Sequence, residues 1–236
     1  MKGLLVRVGA DQSSGGGHWN GPVDARTGKF VYVAIPETEP LLEGMEKPFL
    51  MVAKALGDFD WKLPPLLAWQ HMHLDPDFDH LTYGDHGQRA KQIAGKVGPD
   101  DLLVFYAGLK DVRDSRHLVY AIIGLYVIEK ILPAVRVPAS QSDINAHTRR
   151  VLEADAEDIV VRAHTGVSGR LEKCLPIGEF RDLAYRVRRD LLEKWGGSTV
   201  KDGYLQRSAR LPELKDADRF YSWFIRQNPK LIERNN

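Results

Sequence analysis

Two apolar runs separated by a short polar loop constrain this chain more than any other feature. Residues 102–107 read Leu-Leu-Val-Phe-Tyr-Ala, and residues 118–131 form the most apolar stretch of the sequence, rich in β-branched side chains. Runs without polar alternation suit strands that are buried on both faces. The charged segment between them, residues 108–117, is a plausible length to join them as a hairpin. Gly124 inside the second run predicts a bulge or a close backbone approach. A chain with this pair at its centre is expected to build its core around a β-sheet.

The remaining elements are placed around that pair. A short opening strand over residues 4–8 stops at Gly9, and a second strand is expected over 30–35, ending at Pro36. Residues 36–48 hold three prolines and several carboxylates and read as a surface excursion, followed by a short helix over 50–56. Residues 87–96 read as a helix and 155–161 as another strand. Phe180, Leu183, Ala184, Val187, Leu191 and Leu192 fall at three- and four-residue spacings, which predicts an amphipathic helix over 179–195 capped by Gly196-Gly197. A last helix over 217–227 carries Phe220, Tyr221, Phe224 and Ile225. Strands in the first two thirds and helices in the last third predict an α+β fold. Its core would be a central mixed or antiparallel sheet, or a PUA-like partly closed barrel. One domain over 1–236 is expected, with a helical part from about 176 to 236 packed on the β core.

Composition narrows the function classes. Apolar residues make up 43% and charged residues 28%, as in an ordinary globular chain, and a net charge of +1 supplies no overall attraction for nucleic-acid backbone or an anionic membrane. Cys174 is the only cysteine, so an intrachain disulfide and a cysteine-rich zinc site are excluded. Between apolar neighbours it reads as an inert buried thiol. No stretch approaches the ~20 apolar residues of a membrane helix. The opening residues are also too short an apolar run for a signal peptide, so the cytoplasm is the expected location.

Chemistry-bearing residues gather in four segments. In the first, Asp11, Ser13, Ser14, Gly15, Gly16, His18 and Asn20 form a glycine- and serine-rich loop whose amides suit an anion. It lacks the Lys-Ser/Thr ending of a nucleotide-binding P-loop, and a plain surface loop is the alternative. In the second, His71, His73, Asp75 and Asp77 share one face if the segment is extended, a donor set suited to Zn²⁺, Mn²⁺ or Fe²⁺. A polar edge strand running into a turn is the alternative there. In the third, Asp85 is placed to N-cap the helix that follows, with Gln88 and Arg89 in its first turn. The fourth comprises Asn145, His147, Arg170 and Lys173; the two cations suit phosphate or carboxylate, or simply a solvated turn.

Taken in order, these segments resemble the nucleotide modification associated domain family, third type. The resemblance rests on Arg7 with Asp11-Gln12-Ser13-Ser14-Gly15-Gly16, on His73-Leu74-Asp75-Pro76-Asp77, and on Gly87-Gln88. It continues through Asp101-Leu102-Leu103-Val104-Phe105-Tyr106, the return strand with Gly124, and Asn145-Ala146-His147, spanning about residues 7–175. His86 stands where the family commonly has Phe before the Gly-Gln pair. The resemblance implies a role in modifying nucleotides or nucleic-acid bases, with a nucleotide or nucleic acid as partner, and names no reaction. On that reading the glycine loop would cradle phosphate or sugar with Arg7 and Arg170. His73, Asp75 and Asp77 would supply acid–base groups or ligands for a divalent metal, Gln88 and Asn145 would read a base edge, and His147 would transfer protons. A non-catalytic reader of modified bases, with Trp19 and Trp69 as stacking platforms, and an interaction domain without a small-molecule site are the alternatives.

Overall fold

An apolar run as long as 118–131 can satisfy its backbone only by pairing along both edges. The computed structural model, which describes residues 1–11, 19–114, 116–206 and 209–236, shows how it does so. In chain order the strands are β1 (Gly3–Arg7), β2 (Pro22–Val23), β3 (Ile35–Pro36), β4 (Met72–His73), β5 (Thr82–Asp85) and β6 (Leu102–Asp111). They continue with β7 (Leu118–Pro133), β8 (Ile159–Ala163), β9 (Gly169–Pro176), β10 (Gly178–Arg181), β11 (Ala184–Val187) and β12 (Leu231–Ile232). The α-helices are few: α1 (Ala53–Gly57), α2 (Gly87–Lys96), α3 (Ala146–Arg149), α4 (Arg189–Trp195) and α5 (Ala217–Arg226).

β6 and β7 form the expected antiparallel hairpin, registered from Leu102 against Val127 to Lys110 against Leu118. On its other edge β6 holds β1 and β2, both in parallel. β7 is long enough to take two partners on its free edge, β9 beside its first half and β8 beside its last third. β5 then pairs with β8, and β12 with β9. The result is an α+β structure built on an eight-stranded mixed sheet. Its path runs from β1 to β5 and does not close into a barrel. β6 is buried over residues 102–109 and β7 over residues 120–128, which is why neither alternates apolar with polar residues there.

Gly124 meets both expectations set for it. The register slips between Phe105 and Tyr106, leaving Ile123 as an extra residue in β7. A Cβ at Gly124 would lie 2.6 Å from the Phe78 ring and 2.9 Å from the Gly169 carbonyl oxygen. Phe78, Phe105 and Tyr126 pack edge to face over this bare stretch of backbone, with centroids 4.7–5.9 Å apart.

The helix expected over 179–195 is only half present. Residues 178–187 form the β10–β11 hairpin, and the helix is confined to Arg189–Trp195. Asp182 and Leu183 take positive φ values of 48° and 59°, the left-handed pair of a tight two-residue turn. Leu183, assigned to the buried face by its spacing, sits at the turn tip and is 90% exposed. Tyr185 instead anchors the hairpin, stacking on Tyr120 at 4.4 Å and accepting the Leu118 amide at 2.7 Å. α4 does end at a left-handed Gly196, and its Trp195 packs against Phe220 and Trp223 of α5. Of the strand expected over 30–35, only Ile35 pairs, in β3, while Phe30 makes a single bridge to Val23. Among the described residues no helix is long and apolar enough to cross a membrane.

Two glycine substitutions test the packing. Gly124→Ala is expected to destabilise the chain by about 1–3 kcal/mol in urea denaturation, because the added methyl meets ring and backbone. Gly95→Ala, in α2 with nothing within 4 Å of the new methyl, is expected to stabilise it by about 0.5–1 kcal/mol.

Candidate functional site

Three short pieces of chain converge on the floor of a cleft of about 660 Å³. The first is β4 with the residues after it. β4 pairs with β3 only as far as His73, and Pro76, which has no amide hydrogen, keeps the ladder from resuming. The chain turns back through reciprocal backbone bonds between Asp77 and Thr82, at 2.8 and 3.0 Å, into β5, the second piece. The third is α3, which Asn145 caps: its side-chain oxygen accepts the His147 amide at 2.9 Å, while Thr148 Oγ1 accepts the Asn145 amide at 3.1 Å.

Asp75 ties the three together. Its Oδ1 accepts the Gly84 amide of β5 at 2.7 Å and the Asn145 Nδ2 at 3.0 Å. Its Oδ2 lies 3.9 Å from His73 Nε2 and 3.7 Å from His147 Nε2. The two imidazoles meet edge-on, 4.9 Å between centroids. Gly84 is what lets His147 come so close, since a Cβ there would lie 2.3 Å from the His147 ring.

Each imidazole is held from behind by a carboxylate. His73 Nδ1 lies 2.6 Å from Glu37 Oε2, and His147 Nδ1 lies 2.5 Å from Asp158 Oδ1. Those partners put the ring proton on Nδ1 and leave each Nε2 lone pair on the cleft side. Arg150 braces the same layer, with its Nη2 2.7 Å from Glu37 Oε1 and its Nη1 3.9 Å from Asp158. Burial moves the ionisation of this group strongly. It raises Asp75 well above the usual carboxylate range, and the nearby Asp85 charge adds to that, against the bonds from Gly84 and Asn145. It lowers His73 to about 4, outweighing the pull of Glu37, so this imidazole is neutral at pH 7. Glu37 is also penalised by burial, yet its bonds to His73 and Arg150 hold it far below its ordinary value.

The walls carry more polar groups. Arg7 pairs with Asp11 at 2.7 Å and lies over the Tyr120 ring. Arg89 donates to Asp85 and to the Tyr83 hydroxyl, both at 2.8 Å. Tyr106, Tyr204, Gln206 and Arg210 complete the lining.

Arg7, Asp11, His73, Asp75 and His147 therefore face one cleft, with Asn145 directly behind them. Other candidates from the sequence are placed elsewhere. Ser13, Ser14, Gly15, Gly16 and His18 lie outside the described residues. Asn20 is buried and gives its amide to the Gly108 carbonyl. Asn145 is buried too, and its amide is committed to Asp75, Thr82 and the α3 cap rather than to a base edge. Gln88 is exposed in the first turn of α2, outside the cleft. Arg170 sits on β9 over the Phe30 ring, bonded to the Arg234 carbonyl, and Lys173 is exposed on the same strand. The single-face arrangement of His71, His73, Asp75 and Asp77 does not form, because β4 stops after two residues. His71 is exposed, and Asp77 turns away to an ion pair with Arg149. Asp85 does not cap α2: the N-cap is His86, and the Asp85 carboxylate serves Arg89 and Tyr83. Neither Trp19 nor Trp69 lines the cleft. Cys174 is buried, with its thiol pushed up to about 12 by desolvation.

Sequence reasoning missed Glu37, Asp158 and Arg150. Glu37 is in the proline-rich excursion, and Asp158 and Arg150 flank a stretch without periodicity. One available signal was the Asn-Ala-His spacing, since an Asn N-cap fixes where a His two residues later must point.

Residues 2–192, most of the chain, match the family model described as nucleotide modification associated domain 3. No curated protein and no solved structure matches the chain.

Asp75 and Asp77 are separable by experiment. Asp77→Ala strands the buried Arg149 guanidinium and is expected to lower stability by about 3–5 kcal/mol in urea denaturation. Asp75→Asn keeps a side-chain oxygen for Gly84 and Asn145 and is expected to cost about 1 kcal/mol. Equal losses at the two positions would contradict this division of roles.

Proposed function

The chain belongs to the nucleotide modification associated domain 3 family, and from that premise we propose that it is an enzyme modifying a nucleotide or a base within nucleic acid. The observation that carries this reading is the convergence of His73, Asp75 and His147 on the cleft floor, with Nδ1 of each imidazole and Oδ1 of the aspartate already satisfied from behind. Burying such groups is costly, and a module that only recognises its ligand has no need of three of them at one point. Preorganised side chains backed by a second layer are what chemistry requires.

The cleft has the size of a site for a mononucleotide or a single flipped-out base, at about 660 Å³. Tyr204 offers aromatic surface in its lining, and the Arg7 and Arg89 guanidiniums stand on its walls beside their carboxylates. A net charge of +1 suits a small or extruded substrate better than binding along a duplex.

The test is mass spectrometry of nucleosides from DNA, RNA and the free pool of host cells expressing the wild type, Asp75→Asn or His147→Ala. A nucleoside mass change that appears with the wild type and is lost in both variants is the expected result. Unchanged profiles, with nucleotide or oligonucleotide bound equally by all three proteins, would assign the cleft to recognition alone.

A further inference from the structure

Three donor atoms on the cleft floor face one another without bonding. His73, Asp75 and His147 each offer a ligand atom within 4.8 Å of the other two, and Asp75 Oδ2 faces both Nε2 atoms. At 3.9 and 3.7 Å the two imidazole–carboxylate approaches are too long for hydrogen bonds. Among the described residues no hydrogen bond reaches any of the three atoms. A catalytic His–Asp dyad would instead bring Asp75 into bonding distance of one ring.

We infer that these three side chains bind one divalent first-row transition-metal ion, with Glu37 and Asp158 as the outer carboxylates that orient the two histidines. The spacing supports it. Ligand bonds of about 2.0–2.2 Å place neighbouring donors roughly 3.0–3.5 Å apart, so each imidazole–carboxylate separation needs a contraction of only about half an ångström by side-chain rotation. The outer layer supports it as well. A metal-bound imidazole characteristically gives its second ring N–H to a carboxylate, and both rings here do so, at 2.6 and 2.5 Å. One metal-facing nitrogen on each ring is thereby selected.

The donor set agrees. Two imidazoles and one carboxylate select Fe²⁺, Mn²⁺ or Zn²⁺ over Ca²⁺ and Mg²⁺, which prefer all-oxygen shells. Three protein ligands leave positions open toward the cleft for water or a substrate oxygen, the pattern of a catalytic rather than a structural metal. This inference rests on the same cleft floor as the enzymatic reading above, and it deepens that reading to metal-assisted chemistry.

The test loads the full chain, stripped by a chelator and desalted, with Fe²⁺ (anaerobically), Mn²⁺ or Zn²⁺ in turn. Bound metal is counted by mass spectrometry and affinity measured by titration calorimetry. One ion per chain is expected for at least one metal. His73→Ala and His147→Ala are expected to weaken it at least about 100-fold, and Glu37→Gln or Asp158→Asn about 10–100-fold. His71→Ala, at an exposed position outside the cleft, leaves binding unchanged. Far-UV circular dichroism shows which variants are folded, and the visible spectrum of the Co²⁺-loaded wild type reports nitrogen–oxygen ligation without relying on any variant. No bound ion with any of the three metals, or stoichiometric metal retained in folded His73→Ala and His147→Ala, overturns the site. Metal binding with unchanged host nucleosides overturns the enzymatic reading and leaves the site standing. Nucleoside modification by chelated, metal-free protein overturns the metal-assisted chemistry and leaves the enzymatic reading standing.

Discussion

The hydrogen bond from Asn145 Nδ2 to Asp75 Oδ1 joins two segments seventy residues apart, and the geometry of the cleft floor follows from it. The same amide group accepts the His147 N–H through its oxygen, so one side chain fixes the carboxylate and aims the helix that carries the second imidazole. Thr82 receives the remaining amide hydrogen at 3.3 Å, which registers β5 against both. Because Asn145 is fully buried, an unmade bond at any of these points would leave a polar group desolvated with no compensation. That penalty keeps the three segments in a single arrangement. Gly84 supplies the steric half of the constraint, since only a residue without a Cβ admits the His147 ring against β5.

A second layer then decides what the first can do. Glu37 and Asp158 are linked through Arg150, so the two imidazoles are backed by one shared network rather than by separate contacts. This layer puts the Nε2 atoms toward the cleft, beside Asp75 Oδ2. The sheet contributes by position: β5 is bound to β8, and β8 to the far end of β7, which carries the floor on the most deeply buried strand pair of the fold. Local precision here depends on a rigid scaffold rather than on the loops themselves.

Elements dominated by a single local cause were legible in the sequence. The apolar hairpin, α5 and the bulge at Gly124 each follow from a hydrophobic pattern or one glycine. The β10–β11 hairpin was not legible. A helical period over Phe180, Leu183, Ala184 and Val187 competed with a left-handed pair at Asp182 and Leu183, which no glycine or asparagine announced. The site divides along the same line. His73, Asp75 and His147 were readable as chemically capable residues, but their grouping was not, because period-two spacing held only as far as the two residues of β4. Glu37 and Asp158 reach the imidazoles across 36 and 11 residues of sequence, and no local pattern encodes such partners.

The segment His73-Leu74-Asp75-Pro76-Asp77 shows how far apart one short motif can be driven by its surroundings. Asp77 is surrounded by Arg149, His80 and Asn235, and although burial opposes ionisation, those partners hold its carboxyl below the ordinary range. Asp75, two residues earlier, receives only the neutral amide donors of Gly84 and Asn145, and burial dominates. The first arrangement is a closed ion pair that fastens the C-terminal Asn235 to the turn before β5. The second lines the cleft, with Oδ2 3.9 and 3.7 Å from the two imidazoles. Two aspartates of identical chemistry thus become a closed ion pair and a carboxyl without a cationic hydrogen-bond partner, according to whether the fold brings a guanidinium against them.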